Sequence, residues 1–145
     1  MASLDGIKIT EDNTGQVLSE LEKAVVRALE SIGTNAEKYA KALCPVGTTE
    51  STGKKGYRGG TLRGSISHSV NPSNKTVSVY SNVEYAPYVE LGTGPYFTPP
   101  PEWEQFNVPK SKGLGHAYVH PRPYLRPAIQ DHLDEYKNII KSELS

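Results

Sequence analysis

The chain has a single cysteine, Cys44, in 145 residues. No internal disulfide can form, so no disulfide framework holds the fold, and synthesis in a reducing compartment is expected. Neither sign of charge prevails: 16 Lys and Arg face 16 Asp and Glu. A dedicated non-specific DNA binder would be clearly basic. No apolar run approaches the ~18–20 residues of a membrane span. The opening MASLDGIKIT lacks the basic and apolar regions of a signal peptide. The expectation is a soluble protein made in the cytoplasm, without a membrane partner. Phenylalanine is scarce, two residues against nine tyrosines. Tyrosine suits half-wet boundaries and is also enriched at protein interfaces, so a small core with a tyrosine-lined edge and a contact surface both remain open. Apolar content of 36 % implies a modest core within one domain, residues 1–145.

What is present reads as α+β. Ile7 and Ile9 alternate around Lys8, a weak signal for a short edge strand. Asn13 with Gln16 forms a loose capping box. From there Val17, Leu18, Leu21, Val25, Ala28, Leu29, Ile32, Ala36, Tyr39 and Leu43 recur mostly at steps of three and four, an amphipathic helix that Cys44-Pro45 must end. Ser31–Asn35, SIGTN, is a place where it could kink. Residues 66–70 and 76–80 alternate around the turn NPSNK, a β-hairpin that needs a third strand and a helix over its apolar face. The N-terminal strand and His116–His120 are the candidate third strands. YAPYVELG predicts a short helix with Pro87 in its first turn and Gly92 ending it. A second amphipathic helix is expected from Leu125 through Ile129, Leu133, Tyr136, Ile140 and Leu144, with Pro127 in its first turn. The expected architecture is a long N-terminal and a C-terminal helix packed on a small antiparallel sheet. Two long loops complete it, one around residues 45–65 and one across residues 93–120.

Tests for chemistry return little. GTTESTGKKG departs from a phosphate loop: five residues separate its glycines, Lys55 follows Lys54 where Ser or Thr belongs, and a helix precedes it. His116 and His120 have metal spacing only in a helix, and GHAYVHP reads as extended, placing the rings ~13 Å apart. Cys44 ends an apolar helix face and reads as a buried structural thiol. Glu102 and Glu104 flank Trp103 in a loop where no pocket is implied. No nucleophile elbow or zinc-protease helix occurs. No enzyme activity, cofactor or metal is expected. The two loops are cationic, with Lys54, Lys55, Arg58 and Arg63 in one and Lys110, Lys112, Arg122 and Arg126 in the other, while acids gather on the helices. Such loops suit phosphate, or the acidic helices of a neighbouring copy.

Three stretches, in this order, resemble a known family. They are CPVGT with GTLRGSI, then YAPYVELGTG, then PRPYLRPAI. The order is similar to that of the neck and tail-completion proteins of long-tailed bacteriophages, often called minor tail components. The matching positions are Cys44, Pro45, Val46, Thr48, Gly60, Leu62, Arg63, Ser65 and Ile66; Tyr85, Ala86, Tyr88, Val89, Glu90, Gly92 and Thr93; and Pro123, Leu125, Arg126, Pro127 and Ala128. Gly47 stands where the pattern has Asp, residues 49–59 are inserted, and the loop at 95–120 is longer than in the compact form.

The resemblance implies a structural virion protein at the head–tail junction. It would form a homo-oligomeric ring, six-fold by expectation, that completes the tail or joins it to the head connector, made in the bacterial cytoplasm and residing in the virion. Its partners would be further copies, other connector and tail proteins, and DNA passing non-specifically through the lumen. Tyr85, Tyr88, Glu90, Tyr96, Trp103 and Arg126 are the candidate subunit-interface residues; Lys54, Lys55, Arg58, Lys110 and Lys112 are the candidate lumen-facing ones. Arg126 is expected to meet an intramolecular carboxylate, with Glu90 the named partner, or else to bridge subunits. The alternative reading is a nucleic-acid-binding module using the basic loops 53–63 and 110–126.

Overall fold

The structure, a computed structural model, describes residues 13–47, 59–97, 99–101 and 120–145, together with the backbone of residues 3–4 and 7–8. Its long helix, α1, spans Thr14–Leu43 and is about 45 Å long at ~1.5 Å per residue. Asn13 occupies the N-cap, but its side chain makes no capping bond, so the expected capping box does not form. At the other end Cys44 turns extended, with φ −64° and ψ 124°, the conformation that the following Pro45 requires. The Arg63 guanidinium donates to the Cys44 carbonyl at 2.8 Å, satisfying an acceptor that the helix end leaves unpaired.

α1 runs unbroken through Ser31–Asn35. Gly33 is there for close approach. A Cβ on it would stand 2.4 Å from His68 Cδ2 and 2.9 Å from Val77 Cγ2. The hairpin that presses on this point is β3, Ser67–Asn71, paired antiparallel with β4, Thr76–Tyr80. His68 lies opposite Val79 and Val70 opposite Val77, so all four share the face turned to α1. Asn71 Oδ1 accepts the backbone N–H groups of Ser73 and Asn74 in the turn, and Lys75 takes the left-handed conformation at φ 53°. A short helix, α2, Thr61–Ser65, leads into the hairpin and buries Leu62.

The hairpin has no third strand among the described residues. β1, Ser3–Leu4, and β2, Ile7–Lys8, pair with each other as a separate sheet, which corrects the expected role of the N-terminal strand. Most of the other candidate, His116–His120, lies outside the described residues. α1 itself supplies the cover that a two-stranded sheet needs.

The C-terminal segment is two helices rather than one: α4, Leu125–Gln130, and α5, Leu133–Leu144. His132 breaks the run at φ −124° and ψ 19°. Its ring stacks flat on Tyr39 at 3.6 Å, and the Tyr39 hydroxyl donates to Glu135 at 2.7 Å. The break re-aims the chain so that α5 runs back along α1, with Arg27 meeting Glu143 at 3.2 Å near its end. It also overturns the expected apolar stripe. Ile129, Leu133, Ile140 and Leu144 are exposed, while Ala128 and Tyr136 are buried. Similarly Val17, Leu18 and Leu21, read as core positions of α1, are exposed.

Two clusters make the core. Ile32, Ala36 and Tyr136 join α1 to α5, with Val77, Val79 and Ile139 against them. The second gathers Ala40, Cys44, Leu62, Ile66, Ala86, Tyr124 and Ala128, and it adjoins the site described next.

Candidate functional site

The stretch YAPYVELGTGPY builds the base of the long loop. α3, Ala86–Leu91, carries Pro87 in its first turn, where the missing N–H costs nothing. Gly92 ends it at φ 81°, and a Cβ there would lie 2.9 Å from Pro121 N and Cδ and 2.8 Å from the Tyr96 carbonyl. Glycine is required on both grounds, backbone angle and space. Thr93 follows, fully buried. A single 3₁₀ turn follows at Gly94–Tyr96.

The chain returns to the same place. His120 stacks on Tyr96 with ring centroids 3.7 Å apart. The Arg122 N–H donates to the Val89 carbonyl at 2.7 Å. Glu90, only 2 % exposed, is the centre of the closure. Its carboxylate accepts the backbone N–H groups of Tyr124 at 2.7 Å, Leu125 at 3.0 Å and Arg126 at 3.1 Å. These are the orphan donors at the start of α4, and an anion is the group that such a helix end favours. The segments on either side of residues 102–119 are thus tied together at one junction.

The expected ion pair of Glu90 with the Arg126 side chain does not form. The carboxylate takes the Arg126 backbone N–H instead. The reason is geometric: a buried acid beside a helix start is satisfied most economically by the main-chain donors aimed at it.

Tyr124 completes the junction from below. It is fully buried, and its hydroxyl donates to the Ala86 carbonyl at 3.4 Å. Burial pushes its phenol far above the ordinary range, so it stays neutral. Burial likewise raises the Cys44 thiol, partly offset by the nearby Arg63 charge. That makes Cys44 a poor source of thiolate.

Five residues of CPVGT, GTLRGSI, YAPYVELGTG and PRPYLRPAI converge. Cys44, Leu62, Ile66, Ala86 and Ala128 come from all three stretches and meet in one cluster with Ala40 and Tyr124. Of the candidate interface residues, Tyr85 and Tyr96 are exposed, Tyr88 and Arg126 are half-buried, and Glu90 is buried within the chain. Trp103, Lys54, Lys55, Arg58, Lys110 and Lys112 lie outside the described residues. Sequence reading passed over Tyr124, whose signal was only an aromatic between the prolines and leucine of PRPYL. It also passed over the clasp of His68, whose Nδ1 lies 2.6 Å from Glu37 and Nε2 3.1 Å from Glu30. Those two acids lie on α1 on either side of Gly33, a spacing that becomes meaningful only once the hairpin is docked.

Among the described residues no group of three or more His, Cys, Asp or Glu could hold a metal ion, and no helix is long and apolar enough to cross a membrane. The chain matches no protein family, no curated protein and no solved structure.

Proposed function

We propose that this protein is a structural component of the virion of a long-tailed bacteriophage, placed at the head–tail junction, where copies of it form a ring that completes the tail or joins it to the head connector. One observation carries the reading: the order of CPVGT with GTLRGSI, YAPYVELGTG and PRPYLRPAI along one chain, each of which sends at least one residue into a single core cluster. That convergence gives the pattern a physical reason, because residues far apart in sequence build one junction. The junction in turn ties together the segments on either side of residues 102–119, an arrangement suited to a loop that reaches a neighbouring subunit. Exposed Tyr85 and Tyr96 flank its launch point and suit a protein contact.

In this role the chain performs no chemistry. It positions surfaces, and DNA passing through the lumen would meet the lysines of residues 53–63 and 110–112 without sequence preference. A phage genome with this gene removed is expected to yield filled heads and separate tails. Intact infectious particles from that genome would refute the reading. Binding to duplex and single-stranded DNA separates the alternative module: tight binding that weakens steeply with salt would favour it, and a flat titration at low salt would remove it.

A further inference from the structure

Among the described residues, α1 is longer than the surface that covers it. The ion pair of Arg27 with Glu143 marks where the end of α5 lies against it. On the other flank the hairpin turn reaches α1 near Glu22, Val25 and Val26, with Pro72 and Lys75 lining a shallow groove there. Residues 14–21 run on beyond that point, about 12 Å of helix at ~1.5 Å per residue. The apolar spacing of the buried face does not stop with the cover. Leu18 and Leu21 lead along that face to Val25 and the core residue Leu29, with Val17 at its border, yet Val17, Leu18 and Leu21 are 61 %, 54 % and 47 % exposed.

α5 carries a second stripe of this kind. Leu133, Ile140 and Leu144 fall at steps of seven and four, on one side of the helix, and are 47 %, 39 % and 44 % exposed. The side bearing Tyr136 and Ile139 faces the core. Single exposed apolar residues are ordinary, but aligned stripes on two helices mark contact surfaces. The rims also differ in charge. Glu22 sits one turn beyond Leu18 on α1, whereas Lys137 and Lys141 border the α5 stripe. Among the described residues neither lysine is in an ion pair.

We infer that the projecting stripe of α1 in one copy seats on the α5 stripe of a second copy, with Glu22 of the first facing Lys137 and Lys141 of the second. The two stripes are different surfaces, so the contact is heterologous. Each copy keeps one unused stripe, and repetition closes a ring if the rotation permits. The inference supplies an interface for the proposed ring and takes its biological setting from that reading, but the association belongs to the chain alone.

The test is the solution mass of the full chain by light scattering, for the wild type and for Leu21→Glu and Ile140→Glu. Both changes are at exposed positions, and circular dichroism checks that the variants fold. The wild type is expected to form a multimer whose mass grows with concentration. Each variant alone is expected to remain a monomer. An equimolar mixture is expected to give a species of two chains, because each variant retains the stripe that the other lacks. Glu22→Lys should weaken wild-type assembly, and adding Lys137→Glu with Lys141→Glu should restore it.

A wild type that stays monomeric at every concentration overturns the inference. So does assembly of both variants like the wild type, which would leave the ring reading to some other surface. Dimers of Ile140→Glu alone would replace the inference with symmetric α1–α1 pairing. Assembly through these stripes by a chain absent from virions would end the neck reading and leave the interface standing.

Discussion

The Glu90 carboxylate receives the backbone N–H of Tyr124 at 2.7 Å across 34 positions of sequence. With the N–H groups of Leu125 and Arg126, this contact fixes the start of α4 to the end of α3. The acceptor capacity of Glu90 is used, as a buried acid requires.

Glu90→Ala should therefore destabilise the protein strongly. It leaves main-chain donors buried without a partner, at ~1–3 kcal/mol for each unsatisfied group, partly relieved if water enters. A loss of about 3 kcal/mol is expected in urea unfolding, with Glu90→Gln losing roughly half of that because its amide retains one acceptor. A midpoint within error of wild type for Glu90→Ala would contradict this geometry.

Gly33→Ala reverses the usual helix rule. Alanine in a helix interior is ordinarily better than glycine by ~1 kcal/mol, yet here the added methyl would collide with His68 and Val77. The variant is expected to unfold at lower denaturant than wild type. Gly15→Ala is the control: nothing lies within 4 Å of the added atom, and a small gain is expected. Stabilisation by Gly33→Ala would mean that the hairpin does not dock as described.

The clasp of His68 makes stability depend on pH. Glu37, with Glu30, raises the His68 pKa above its ordinary 6.5, against a smaller opposing effect of burial. That stability is complete below pH 6.5 and lost as pH rises through the folded-state value. Glu37 is lowered from 4.5 by its hydrogen bond to Lys41 and then by His68. Its share is present above 4.5 and lost as pH falls through its lower folded value. Unfolding free energy measured from about pH 5 to about pH 9 should decline on the alkaline side, and His68→Gln should flatten that decline. An unchanged slope in the variant would show that His68 is not the titrating group.

Cys44 should be inert in the native protein. It is 1 % exposed and its thiol is raised by burial. A thiol-reactive dye is expected to label it only in denaturant. Fast labelling under native conditions would mean that the junction beneath α3 opens readily.

The parts of the fold legible in the sequence were the local ones. The period of α1, its stop at Cys44-Pro45, the hairpin at 67–80 and the helix ended by Gly92 all follow from patterns within a few residues. What escaped depends on contacts between distant segments. The apolar spacing at Val17, Leu18 and Leu21 predicts a buried face, but burial requires a covering element, and α5 and the hairpin end short of it. Asp131–His132 looks helical until Tyr39 offers the His132 ring a stacking partner. Glu90 takes the backbone N–H of Arg126 and not its guanidinium, because charge is visible in a sequence and the direction of main-chain donors is not.

We propose a ring of this chain at the neck of a virion. Cryo-electron microscopy of particles assembled from the genome that encodes it tests that directly. The predicted result is a closed ring of this chain between head and tail, with the loop based at Glu90 and Tyr124 reaching an adjacent subunit. Purified particles that lack the chain would contradict it.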